Sequence, residues 1–88
     1  MTRSPTARVL GDVVAERLRQ EALAKAGRFP STAANPALDP AYAFAILSEE
    51  VGEVARAIVE AESMAALRTE LVQVAAVAVA MIEGIDAR

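Results

Sequence analysis

Two stretches twenty positions apart carry acidic residues in the same frame. Leu47-Ser-Glu-Glu50-Val51-Gly-Glu53-Val54-Ala55 is echoed by Leu67-Arg-Thr-Glu70-Leu71-Val-Gln73-Val74-Ala75, with Glu or Gln at the seventh place of each. On a helix at about 100° per residue, Glu50 lies about 60° from Leu47 and Glu53 about 120°, on the same side. Glu70 and Gln73 fall at the matching angles from Leu67. The other positions on that strip, Ile46, Ala57, Ala66 and Val77, are apolar. Carboxylates set into an apolar strip need a counter-charge, and the nearest bases, Arg56 and Arg68, fall on other parts of their helices. A bound cation answers that need. Three carboxylates and an amide, all oxygen donors, suit a hard divalent ion, Mg²⁺ or Mn²⁺. The plainer alternative is a solvated face, the usual fate of ExxE pairs on helices; the repeat and its apolar flanks favour the ion.

Other chemistries are closed off by composition. The chain has no His and no Cys, which removes the common zinc sites, imidazole bases, thiol nucleophiles and disulfide frameworks. No glycine falls in a phosphate-cradling G-x-x-x-x-G-K pattern. A net charge of -3 disfavours a nucleic-acid partner. The longest apolar run, Val74 to Ile82, is far short of the ~20 residues that span a bilayer. With Asp12, Glu16, Arg17 and Arg19 interrupting any export signal, the cytoplasm is the expected compartment. Arg17, Arg19, Lys25 and Arg28 gather where a helix should end, and could clamp a polyphosphate or simply favour a helix C-terminus.

Helices must position these groups. Hydrophobic residues make up 55% of the chain and aromatics 3%, with 21 alanines, a helix-forming composition that allows close packing. At 88 residues the chain is one domain, 1–88. Ser4-Pro5 and Asp39-Pro40 are cap-then-proline starts, Gly27 is a stop, and Ser63 is a further cap. The expected helices are about 5–26, 40–61 and 64–85, with a loop over 27–39 long enough to be substrate-facing or partly mobile. Their apolar seams read Leu10, Val13, Val14 and Leu18; then Leu47, Val51, Val54 and Ile58; then Leu67, Leu71, Val74, Ala78, Met81, Ile82 and Ile85. The third helix is apolar off its seam too, which predicts a central helix at a subunit contact. A hairpin turning near Glu62 brings both acidic pairs to within about 3 Å of the same height. Gly52 suggests a close helix approach beside the site or equally a tolerated defect, and Tyr42 or Phe44 could contact a base, with core or interface packing the better reading for Phe44.

Glu49-Glu50-x-x-Glu53 followed by Glu70-x-x-Gln73 resembles the E-E-x-x-E and E-x-x-D signature of the MazG-like, all-α nucleoside triphosphate pyrophosphohydrolases. That resemblance implies an N-terminal helix plus a long antiparallel helical hairpin, forming a bundle on assembly into homodimers or homotetramers. It also implies Mg²⁺-dependent cleavage of a nucleotide to its monophosphate and pyrophosphate. Carried over by position, Glu50, Glu53, Glu70 and Gln73 would hold the metal, and Glu49 would orient or deprotonate the attacking water. Arg17, Lys25 and Arg28 are the expected substrate-binding cations. Gln73 stands where the family has Asp and contributes no charge. The competing expectation is therefore a helical interaction module that keeps the acids and has lost turnover.

Overall fold

The structure, a computed structural model, describes residues 3–88; Met1 and Thr2, at the head of the stretch read as lacking an export signal, lie outside them. The described residues form three α-helices and no strand: α1 Pro5–Lys25, α2 Pro40–Val59 and α3 Met64–Asp86. Each begins where its cap residue dictates. Ser4 accepts from the Ala7 amide at 3.0 Å, Asp39 from Ala41 at 2.8 Å and Ser63 from Ala66 at 3.1 Å, satisfying amides a helix start leaves bare. Gly27, at φ 78, closes α1: its amide reaches the Ala24 carbonyl and that of Arg28 reaches Leu23. The end of α2 uses the same paired bonds, Ala61 to Ile58 and Glu62 to Ala57, but Ala61 takes the left-handed place at φ 53. The helix consequently stops two residues before the expected end at 61.

Helix α3 is central. Both α1 and α2 pack against it, whereas α1 and α2 do not pack on each other, so a groove opens between them. The loop between α1 and α2 is folded down by its own turns. The Asn35 side chain accepts from the Ala37 amide at 2.9 Å, and the Leu38 amide reaches the Asn35 carbonyl. Ala33 of that loop joins Ala43, Val77 and Ala80 in the core, flanked by Ile46, Leu47 and Met81. The loop crosses α3 at Gly84, where a Cβ would lie 3.1 Å from the Ala33 carbonyl oxygen. Gly84 thus admits the loop backbone to the helix surface.

The expected seams turned out to be rotated. In α1 only Val13 of the four is buried, and Leu10, Val14 and Leu18 stand in solvent. In α2 the buried positions are Ala43 and Ala57, while Val51 and Ile58 are exposed. In α3 they are Ala76, Val77, Ala80 and Gly84, while Leu71, Ile82 and Ile85 are exposed. Small residues line the contacts because they let helix backbones approach closely, and the large aliphatic residues are left on the outside. Gly52, by contrast, has nothing within 4 Å of a built Cβ, so the close approach expected there is absent.

Candidate functional site

The rotation of α2 decides the site. At helical spacing Glu50 shares the face of Ala43, Leu47, Val54 and Ala57, the face turned to α3, so its carboxyl is drawn into the packing. Burial and the nearby charges of Glu70, Glu53, Glu16 and Glu49 push the Glu50 carboxyl above the ordinary carboxylate value. It is the half-buried centre of an acidic wall contributed by all three helices.

That wall lines a groove of about 540 Å³. Helix α1 supplies Glu16, Arg19, Gln20 and Leu23; α2 supplies Tyr42, Ile46, Glu49 and Glu50; α3 supplies Gln73 and Val77. The loop closes the other end with Phe29 to Ala33 and Leu38. One end is therefore carboxylate-rich and the other apolar and aromatic, the lining expected for a ligand that is charged at one end and flat or apolar at the other.

The acids expected to converge do so in part. Glu49, Glu50 and Gln73 line the groove; Glu53 and Glu70 lie beside it, near enough for their charges to act on Glu50. Glu53 is not without a base, contrary to expectation: Arg56 stands 3.7 Å from it, and also 3.2 Å from Glu60. Arg68 is taken by Asp12 at 2.7 Å. Among the described residues no three acidic side chains are spaced to enclose one ion as they stand.

The expected substrate cations are placed differently again. Arg17 is buried and does not face the groove; its guanidinium donates to both Glu83 oxygens at 2.9 and 3.0 Å, to Glu21 at 2.8 Å and to Gln20 at 3.2 Å. Thr32 donates to the same Glu21 at 2.6 Å and accepts from the Ala34 amide, so Arg17 ties α1 to α3 and to the loop. A clamp on a phosphate is the wrong role for a guanidinium so engaged. Lys25 and Arg28 are exposed and do not line the groove. The cation that does is Arg19, whose Nε and Nη2 each donate to Glu16 at 2.8 Å. This pairing holds the Glu16 carboxyl below its ordinary value.

Glu16 and Phe29 also line the groove, outside the residues expected from the sequence. Glu16 was overlooked because Leu10, Val13, Val14 and Leu18 drew the α1 seam to the far side. No apolar periodicity marks its side of α1, since of Val13, Arg17 and Gln20 beside it only Val13 is apolar. No family model, no curated protein and no solved structure matches the chain. The resemblance to MazG-like enzymes accordingly rests on the two-helix signature itself.

Proposed function

We propose that the groove binds a nucleoside triphosphate with Mg²⁺ and hydrolyses it to a monophosphate and pyrophosphate. One observation carries the reading: a half-buried carboxyl, Glu50, with acids from all three helices around it, lines a cleft that also holds apolar and aromatic side chains. Like charges crowded in a partly dry wall are relieved by a cation, and oxygen-only donors fit a hard one. Glu50, Glu53, Glu70 and Gln73 are the residues that would hold it. The ion would supply neutralisation of the phosphate oxygens.

The remaining work falls to the chain. Arg19 turns from Glu16 to donate to the outer phosphates. Glu49, exposed at the groove, takes a proton from the attacking water. The water oxygen bonds to the α phosphorus as the bond to the bridging oxygen breaks, and pyrophosphate leaves. Phe29, Leu38, Tyr42 and Ile46 receive the base.

The test is pyrophosphate release from a panel of standard and modified nucleotides, with and without Mg²⁺. Wild type should release it only with the ion, and Glu49→Gln should slow release by about 10² or more. Release by neither protein on any nucleotide contradicts the proposal. The second reading, a helical module without turnover, is favoured by the Glu53–Arg56 pair and by the neutral amide at Gln73. It predicts the fold without any pyrophosphate release.

A further inference from the structure

Helix α1 leaves Leu10, Val14 and Leu18 exposed on its back and sends one acid into the groove wall. The Glu16 side chain is 12% exposed, whereas that of Arg19, which donates to it at 2.8 Å from both Nε and Nη2, keeps 55% in solvent. An ordinary ion pair one turn apart on a helix leaves both partners in water and orders neither. Here the carboxylate is packed in, and the guanidinium is laid over it from the rim. The Gln20 amide adds a longer contact to the same carboxylate at 3.4 Å.

Charge around this pair is unbalanced. Among the described residues that line the groove, Glu16, Glu49 and Glu50 are acids and Arg19 is the one base. The charge of Glu16 acts on Glu50, and that of Glu50 acts on Arg19, so the three share one electrostatic neighbourhood. Arg19 thus does for Glu16 what a bound cation would do for the whole wall. Glu53 is in a similar position, with Arg56 at 3.7 Å. With Glu16 and Glu53 each turned to an arginine, the acids stand apart as they are. On α3, Gln73 offers the groove an oxygen and no charge.

On the cation reading of the groove, we infer that Glu16 is a further ligand of the ion and Arg19 its placeholder, so that binding the ion and releasing Arg19 are one event. Glu16 supplies from α1 the negative charge that Gln73 leaves out. A small divalent ion carries twice the charge of a guanidinium and is favoured over it at a carboxylate with little water around it. Once displaced, Arg19 is an exposed fork of donors beside the ion, suited to phosphate oxygens. Before the ion binds, that fork is spent on Glu16. The ion therefore prepares the anion site, and by reciprocity an anion held on Arg19 tightens the ion.

Titration of the full chain with Mg²⁺ alone tests this, followed by calorimetry and by the NMR signal of the Arg19 Nε–H, assigned by its loss in Arg19→Gln. Wild type should bind saturably. The Nε–H, protected by its bond to Glu16, should shift and exchange faster with water along the same binding curve. Glu16→Gln should weaken Mg²⁺ binding by at least about fivefold, since an amide replaces an anionic oxygen. Arg19→Gln should tighten it by at least about threefold, because the ion no longer displaces a counter-charge. Arg8→Gln removes the same charge from an exposed position of α1 outside the groove and should leave binding unchanged. A wild type that binds no Mg²⁺ overturns the cation reading and this inference together. Saturable binding with an unmoved Arg19 signal, or with Arg19→Gln no tighter than Arg8→Gln, overturns this inference alone. So does a folded Glu16→Gln that titrates as wild type does.

Discussion

The groove and the back of this molecule are built from the same three helices and spend their residues in opposite ways. The groove gathers charge, with Glu50 half-buried among acids and Arg19 held by Glu16, while outside it Arg17 is locked to Glu83, Glu21 and, through Glu21, Thr32. The back collects large aliphatic side chains with no polar work to do. Helical periodicity alone cannot tell these faces apart, since both carry apolar residues at intervals of three and four. What separates them is burial that only the fold assigns, with Ala43, Ala57, Ala76, Ala80 and Gly84 at the closest helix contacts and Leu10, Leu18, Leu71, Ile82 and Ile85 facing out.

Breaking the polar clasp at Arg17 should cost the most. Replacing Arg17 by Leu removes the clasp between α1, α3 and the loop, and leaves Glu21 and Glu83 without their shared partner. Because both acids are about half exposed and can rehydrate, the loss should be about 2–3 kcal/mol, read from chemical denaturation. An unchanged midpoint would show that Arg17 is dispensable to the fold.

Two glycines sharpen the contrast at smaller scale. Gly84→Val pushes side-chain atoms against the Ala33 and Ala34 carbonyls, 3.1 and 3.2 Å from a built Cβ, and should destabilise by about 1–3 kcal/mol while loosening the loop over the groove. Gly52→Ala meets open space inside a helix and should stabilise by about 0.5–1 kcal/mol. Thermal melts of the two variants should move in opposite directions.

The smallest effect is the pH profile of stability. The Thr32 hydroxyl and Arg17 hold Glu21 below its ordinary 4.5, and Arg17 holds Glu83 below it. Their contribution is complete above 4.5 and is lost as pH falls through the depressed values. Glu50 runs the other way: its folded value is raised, so its ionised form costs the fold, and protonation between that raised value and 4.5 restores stability. Without divalent ions, the melting temperature should rise slightly on mild acidification and then fall. Glu50→Gln should remove the rise and keep the fall.

Much of this was legible in the residues. The caps Ser4, Asp39 and Ser63, the prolines behind two of them and the stop at Gly27 act locally, so the helix starts and the first stop were readable without the fold. The end of α2 was not, because Ala61 takes a backbone conformation that its type does not announce. Of the four acidic-repeat residues expected to converge on an ion, Glu50 and Gln73 line the groove and Glu53 and Glu70 lie beside it. The third wall escaped notice, since Glu16 lies on a face of α1 that only tertiary packing selects over Leu10, Val14 and Leu18. Arg17 shows the same limit: a basic residue near a helix end looks free until Glu83, 66 positions away, is folded against it.

The central claim, that the acidic wall is a cation site, is tested most directly by calorimetric titration of the full chain with Mg²⁺ near neutral pH. Wild type should bind saturably, and Glu50→Gln should weaken binding by at least about tenfold, because a hard cation gains far more from an anionic oxygen than from an amide. Glu60→Gln, on an acid at the far end of α2, should titrate as wild type does. No saturable binding by wild type, or superimposable curves for wild type and Glu50→Gln, would contradict the account.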